Sequence, residues 1–355
     1  MTTKVAFFPG DGIGPEITDA TLRVVEAAGA AIEWVRLPGG DDARKTRGTP
    51  MPDETLLAFV DIGLGFKGPF AVAMEDPVIV PEWRRDPASG RRPRSYNSAT
   101  NALRGEAGGF AAVRVAKAFP GVPAPGPGLD AVIVREISED IYIANEYTTQ
   151  NGAAVALKVI TREGSERVVR FAFEFARRHA RKKVAVAHKA NVLKQTDGLF
   201  LRTARRIAAE YPDLEFEEIY IDAACARLVE RPASFDVAVM PNQYGDIMSD
   251  LASAVAGSVG IGGGATFGRR AHLFEPVHGT APDIAGKGVA NPVSQILTAA
   301  LLLRHLGETA RGEAIEKAVA DALLDPRNHT PDLKGRATTR GVTDAIIEAL
   351  PRHLG

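Results

Sequence analysis

Cysteine is all but missing from this chain of 355 residues; Cys225 is the only one. That excludes an internal disulfide framework and any metal centre built on cysteine pairs. Net charge is nearly missing too, at −1, so the chain carries no electrostatic footprint for nucleic acid or an anionic membrane. No apolar run reaches the roughly 18 residues of a membrane span. A strand-like Val5-Ala6-Phe7-Phe8 begins too soon for a signal or transit peptide, which leaves a cytoplasmic protein as the expectation. Internal repeats and acidic or basic tails are also lacking. What remains is the balance of a globular protein, 45% hydrophobic and 25% charged, long enough for one large domain or two ordinary ones.

Apolar runs predict strands at Val5–Phe8, Ala31–Leu37, Leu64–Phe66, Ala131–Val134, Val155–Ile160, Val184–His188, Glu217–Ile221 and Phe235–Met240. Helical spacing falls between many of them, notably at Ile17–Ala28, Ser165–Arg178, Thr196–Glu210 and Pro292–Leu306. Such alternation predicts α/β layers around a largely parallel sheet. Gly10-Asp11-Gly12-Ile13-Gly14 invites a dinucleotide-binding assignment, but Pro15 stands where that fingerprint needs its third glycine, so a classical Rossmann fold is rejected. Pro120–Gly128 reads as a stiff surface loop and Gly260–Gly264 as a flexible segment.

The organising stretch is Pro241-Asn242-Gln243-Tyr244-Gly245-Asp246-Ile247-Met248-Ser249-Asp250. It reads as a turn carrying Pro241, Asn242 and Gly245, then a helix whose apolar spacing is Ile247, Leu251 and Val255. Asp246 and Asp250 lie four apart and project from one helix face. Two like charges at that spacing destabilise a bare helix. A divalent cation would offset them, and hard oxygen ligands favour magnesium, manganese or calcium over zinc.

Asn242 to Leu251, followed by Phe274-Glu275-Pro276-Val277-His278-Gly279-Thr280-Ala281-Pro282, resembles the metal-dependent β-decarboxylating dehydrogenases: the isocitrate, isopropylmalate, homoisocitrate and tartrate/D-malate enzymes. The match runs from Phe7–Glu16 to Thr343–Ile347, nearly the whole chain. The resemblance implies a two-domain isocitrate/isopropylmalate dehydrogenase-like fold. Residues 1–98 and 252–355 would form a discontinuous cofactor-side domain, and 99–251 a smaller domain for substrate and dimerisation. An arm at about 136–161 would clasp a second subunit, and the active-site cleft would fall between the domains.

Residue by residue, the resemblance implies the following. Ser98, Thr100 and Arg104 belong to the substrate loop and, with Arg114 and Arg135, receive a dicarboxylate; guanidinium forks bind carboxylates bidentately. Tyr142 protonates the enol carbon after loss of carbon dioxide, and Lys189 serves proton transfer at a strand end. Asp222, Asp246 and Asp250 hold Mg2+ or Mn2+, with Lys189 and Asp222 arriving from the partner of a homodimer. His278, Gly279, Thr280, Ala281, Asp283, Ile284 and Asn291 bind adenosine. Where NADP-dependent relatives carry Lys-Tyr, this chain has Asp283-Ile284; a carboxylate accepts ribose hydroxyls and repels a 2′-phosphate, which implies NAD.

Three features depart from the family pattern. Val115 replaces a proline after the middle arginine, Thr100 stands where isocitrate-type relatives usually carry asparagine, and Ala71–Ser95 is longer than usual. Arg91, Arg92 and Arg94 in that insertion stand a few residues from the substrate loop, within reach of a charged substituent if the loop folds inward. The polar Ser98 and Thr100 argue against an isopropyl pocket. Isocitrate is accordingly the first candidate, ahead of homoisocitrate, isopropylmalate, tartrate or D-malate, and a malate bearing a phosphonomethyl group. Rivals of another class are a non-catalytic regulatory subunit, disfavoured by Tyr142, Lys189 and the three aspartates, and a non-redox dicarboxylate-binding protein, disfavoured by the cofactor loops.

Overall fold

The structure, a computed structural model, describes residues 2–72, 79, 81 and 95–354. In chain order the strands are β1 (Thr3–Phe8), β2 (Ile32–Arg36), β3 (Leu64–Lys67), β4 (Gly109–Lys117), β5 (Asp130–Glu136), β6 (Glu146–Thr148), β7 (Ala154–Ala156), β8 (Lys183–His188), β9 (Glu215–Tyr220), β10 (Val237–Met240), β11 (Gly263–Gly268) and β12 (His272–Phe274). The helices are α1 (Gly14–Ala27), α2 (Gly40–Arg47), α3 (Asp53–Ile62), α4 (Ala99–Glu106), α5 (Arg162–Arg178), α6 (Thr196–Ala208), α7 (Ile221–Glu230), α8 (Asn242–Ala256), α9 (Val293–His305), α10 (Thr309–Leu323) and α11 (Thr339–Ala349). This is a mixed α/β architecture with mostly parallel strands, as the alternation of apolar runs and helical spacing predicts.

The chain divides into two compact units. One joins Met1–Gly109, Pro120–Val122 and Gly262–Gly355; the other joins Phe110–Phe119 and Pro123–Ile261. Within the first, strand order is β2-β1-β3-β12-β11, parallel except for the β11–β12 pair. Within the second the order is β4-β5-β10-β8-β9, parallel except for β4–β5. The limits fall later than residues 98 and 251, because the flanking helices are held by their cores. Ala99, Ala102 and Leu103 of α4 are buried with Phe8, Leu56 and Phe59 in the first unit. Met248, Ala252 and Val255 of α8 are buried with Ile133 and Met240 in the second. Burying one side chain the size of Leu103 is worth about 1.5–3 kcal/mol, enough to decide which unit keeps a helix.

Several local expectations are corrected. Residues Gly260–Gly264, expected to be flexible, are buried, and they run into β11, whose six residues are all buried. Glycine here lets backbones approach: a Cβ on Gly263 would lie 3.3 Å from the Leu297 carbonyl carbon. Of the apolar run Val155–Ile160 only Val155 and Ala156 pair as strand, where β7 meets β6 in an exposed antiparallel hairpin within the expected arm. Helix α8 begins at Asn242, so Gly245 lies inside its first turn and not in a preceding loop. The buried face of α8 is Met248, Ala252 and Val255, while Ile247 is exposed. Most of Ala71–Ser95, Arg91, Arg92 and Arg94 included, lies outside the described residues; an antiparallel bridge joins Ile79 to Tyr96 near its two ends.

Candidate active site

In the second unit the candidate residues stand at the carboxyl ends of parallel strands, where open α/β sheets place their ligands. Arg135 is the penultimate residue of β5, Lys189 follows β8, Asp222 follows β9, and α8 opens two residues after β10. Arg135 donates from Nε to Asn242 Oδ1 at 2.9 Å and pairs with the Asp246 carboxylate through Nη1. Its guanidinium also lies 5.6 Å from the centre of the Tyr142 ring. Gly245 makes this geometry possible, since a Cβ there would sit 2.5 Å from Arg135 Cβ. Asn242, itself buried, donates to the Glu139 carbonyl at 2.9 Å and ties α8 to the segment that bears Tyr142.

Asp250 stands one turn beyond Asp246. Partial burial and the neighbouring Asp246 carboxylate push its carboxyl above the usual aspartate range, while Arg114 and Arg135 pull the other way. This is the like-charge pair expected from the spacing, now with Arg135 as its counter-ion. Two hard oxygen donors on one helix face fit a magnesium- or manganese-type ion. Asp222 is held elsewhere: Lys189 Nζ lies 2.7 Å from its Oδ1, and that bond holds the Asp222 carboxyl below its ordinary range. Among the described residues, no three His, Cys, Asp or Glu side chains gather at a single metal position. Arg114, on β4, donates from Nη1 to the Val113 carbonyl at 3.1 Å.

In the first unit, Ser98 caps α4, its Oγ accepting from Asn101 N at 3.1 Å. Thr100 and Arg104 are four apart on that helix and share a face. Arg104 is oriented by Glu275, a fully buried carboxylate that accepts from its Nε at 2.9 Å. Glu275 also pairs with buried Lys67 at 3.2 Å and accepts from Thr266 Oγ1 at 2.9 Å. The guanidinium is thereby fixed before any substrate arrives.

The loop from His278 to Asn291 shows what could hold a nucleotide. His278 Nδ1 lies 2.9 Å from the Gly279 carbonyl, which makes Nδ1 the protonated nitrogen. Its Nε2 is then a buried acceptor with no partner among the described residues, and burial keeps the imidazole below its ordinary pKa. A donor group on a bound nucleotide would satisfy it, so the residues fit the group. Asp283 is exposed, Gly279 has open space at its Cα, and Ala281 takes a φ of 39°. Thr280 is half-buried and its carbonyl accepts from Ile13 N at 2.9 Å, which brings the Gly10–Gly14 turn against this loop. Two of the expected cofactor residues also make contacts within the fold. Ile284 packs with Ile13 and Ile17, and the Asn291 amide binds Asp332 Oδ2 at 3.0 Å and Val293 N at 3.1 Å.

Sequence reasoning assigned no role to Gly245 beyond a turn, nor any to Glu275, Asp140, Lys158 or Asp197. Glu275 had a visible signal, an acid directly after an apolar strand. Lys158 had one as well, a lone charge within the apolar run Val155–Ile160.

A family model described as isocitrate/isopropylmalate dehydrogenase matches residues 4–349. A 3-isopropylmalate dehydrogenase of Archaeoglobus fulgidus is 40% identical over 347 residues, 98% of this chain and 99% of its own length. An isocitrate/homoisocitrate dehydrogenase of Thermus thermophilus is 40% identical over 350 residues, 99% of each chain. Among solved structures, isocitrate dehydrogenase from Methylococcus capsulatus matches with a TM-score of 0.87 at 40% identity, over 99% of both chains.

Proposed function

The chain belongs to the isocitrate/isopropylmalate dehydrogenase family, and we propose that within it the protein is an NAD-dependent isocitrate dehydrogenase that works as a homodimer. Oxidative decarboxylation of a small hydroxy acid is the family's reaction, with a divalent metal and a nicotinamide cofactor. One observation carries the choice of substrate: Thr100 shares a face of α4 with Arg104, so a hydroxyl stands one turn from the arginine, and a second hydroxyl, that of Ser98, caps the same helix. Against an isopropyl group their polar atoms would lose hydrogen-bond partners; against a carboxylate they donate.

Arg104, Arg114 and Arg135 hold the carboxylates of the malate portion. Asp246 and Asp250, with Asp222 of a second copy, hold Mg2+ or Mn2+. When bound, the ion would supply Lewis acidity and NAD would supply a hydride acceptor. Lys189 of the second copy takes the hydroxyl proton, and the Tyr142 hydroxyl returns a proton to the carbon that loses carbon dioxide. The exposed Asp283 carboxylate supports NAD, because it would repel a 2′-phosphate. The exposed hairpin of β6 and β7, with Tyr147 54% exposed, and the exposed Ile247 on α8 support a second copy as the surface that covers them. The Archaeoglobus relative favours a second reading, 3-isopropylmalate, at the same 40% identity as the Thermus enzyme.

NADH formation with a panel of isocitrate, homoisocitrate, 3-isopropylmalate, D-malate and phosphonomethylmalate separates these readings. Isocitrate with NAD is expected to give the highest kcat/KM. Efficient oxidation of 3-isopropylmalate with the acidic substrates inert would refute the polar-pocket reading, and NADP equal to NAD would refute the role of Asp283. For the dimer, inactive Lys189→Ala and Tyr142→Phe chains are expected to regain activity when mixed. No rescue after verified exchange counts against shared sites.

A further inference from the structure

Lys158 is a cation in an almost closed setting, and it belongs to no substrate, metal or cofactor position described above. Its ammonium lies 2.8 Å from Asp140 Oδ1 and 3.4 Å from Asp197 Oδ1, and both carboxylates are completely buried. It also lies 4.6 Å from the centre of the Tyr244 ring. The partners of those two carboxylates are what make the arrangement informative. Asp197 Oδ2 accepts from the backbone N–H of Lys189 at 2.7 Å. Asp140 Oδ2 accepts from Gln243 N at 3.0 Å, at the start of the helix that carries Asp246 and Asp250. Asp140 Oδ1 accepts from Ile141 N at 2.8 Å, immediately before Tyr142.

Asp140 adopts a φ of 78° and a ψ of −164°, a region almost reserved for glycine. Such a strained conformation persists only where surrounding contacts over-determine it. Here the contacts are Lys158, Gln243 N and the Asp140 N–H to Val159 carbonyl bond of 2.8 Å. The same pairs join the two strands of chain at the root of the exposed arm, which leaves after Asp140 and returns before Lys158. One ammonium therefore bridges the two carboxylates that hold the Tyr142 turn, the Lys189 turn and the first turn of α8.

We propose that Lys158 is a positioning residue, setting Tyr142 and Lys189 for proton transfer through Asp140 and Asp197. The inference rests on the proton-transfer roles given to Tyr142 and Lys189 above. It differs from a role in stability alone in what it says about rate. A misplacement of about 1 Å at reacting groups costs about 100-fold in rate with little effect on binding, and proton transfer then becomes the slow step.

The test uses the full-length enzyme with Mn2+, NAD and whichever acid of the panel it oxidises best. Lys158→Met is expected to lower kcat about 100-fold, with KM for acid and cofactor within about threefold of the parent, and to raise the solvent deuterium isotope effect on kcat. Because that substitution would leave two buried carboxylates without a cation, Asp197→Asn is measured beside it. The asparagine variant leaves one carboxylate to one ammonium, keeps the side-chain volume, and is expected to show the same signature at smaller size. Tyr142→Phe and Lys189→Ala are run in parallel. If those two lose activity while folded Lys158 and Asp197 variants keep it, the positioning role is overturned and the proton-transfer reading stands. If kcat falls only with the folded fraction and the isotope effect does not move, Lys158 is structural and the proposal fails. If Tyr142→Phe and Lys189→Ala stay active, both fail together.

Discussion

In the second unit the candidate side chains stand at strand ends and hold one another: Arg135 grips Asp246 and Asn242, Lys189 grips Asp222, and Lys158 spans Asp140 and Asp197. In the first unit, Glu275 and the Asn291–Asp332 pair apart, the corresponding groups hang on backbone. The Thr280 carbonyl accepts from Ile13 N, Gly12 leaves no room for a Cβ beside Thr280, and Glu16 accepts from the N–H groups of Gly288 and Ala290 at 3.3 and 3.2 Å. A side-chain network answers to charge and a backbone contact answers to volume. Isosteric charge changes should therefore be felt in the second unit, and single-carbon additions in the first.

The harshest test of that contrast is Asp246→Asn, which alters one charge and almost no volume. A fall in kcat of about 1,000-fold is expected, the scale of losing one electrostatic stabiliser of the transition state, with the thermal midpoint nearly unchanged. Removing one of two like charges four residues apart relieves repulsion in α8, which offsets the lost pairing with Arg135. Steady-state rates at saturating Mn2+, with EDTA as control, decide it. Turnover that survives either the substitution or EDTA removes the metal from this site.

Glu136 sharpens the contrast through pH. It is buried beside Arg135 in sequence, and burial pushes its carboxyl up to about 7 despite hydrogen bonds from Ser138 and Glu139. A raised carboxyl pKa means that the folded state binds the proton more tightly than the unfolded chain. The contribution to stability is therefore full below the ordinary value of 4.5 and is lost as pH rises through about 7. The span corresponds to about 3 kcal/mol, order of magnitude only. Glu136→Gln does not titrate, so its stability relative to the parent should rise by about that amount between those limits. Denaturant melts across the window measure it, and a flat difference would show that Glu136 is ionised in the fold.

Adding one methyl to the first unit should do what a charge does in the second. Gly12 has a φ of 60°, and a Cβ there would lie 2.2 Å from the Thr280 carbonyl oxygen. Gly12→Ala is expected to cost about 2 kcal/mol of stability, from left-handed backbone strain and displaced packing. It should also raise KM for NAD about tenfold with kcat and metal dependence nearly unchanged. A selective loss of kcat would break the division between units.

That division also explains which parts of the molecule were legible in the sequence. Arg135, Lys189 and Asp222 are picked out by the family resemblance of their segments, and each stands at or just after the carboxyl end of a strand, where such sheets present chemistry. β11 is not. Its first residues, Gly263 and Gly264, fall in the run Gly260–Gly264 that looks flexible until neighbouring backbone packs against the bare Cα of Gly263. Gly245 reads as a turn former, because nothing in sequence shows that Arg135 Cβ lies across from it. The stripe Ile247-Leu251-Val255 correctly indicates a helix, but only Leu251 and Val255 pack on the core, while Ile247 points away from Met248 and Ala252. Lys158 and its carboxylates come from segments roughly 20 and 40 residues apart, a separation that local pattern does not register.

The smallest expected effect falls on Ser98, where one oxygen has two uses. Its Oγ accepts from Asn101 N at 3.1 Å and so caps α4, and its own proton can still be donated to a substrate carboxylate. Ser98→Ala removes both and should cost about 1 kcal/mol of stability, the usual worth of an N-cap. Ser98→Gly separates them, because glycine at an N-cap loses only about a few tenths of a kcal/mol. If the hydroxyl also reads the substrate, both variants should raise KM for isocitrate about fivefold relative to D-malate, the equivalent of one hydrogen bond of about 1 kcal/mol. The stability loss should appear in the alanine variant alone. An unchanged ratio of KM values in both would make Ser98 a cap and nothing more, and would leave Thr100 as the hydroxyl on α4 that reads the third substituent.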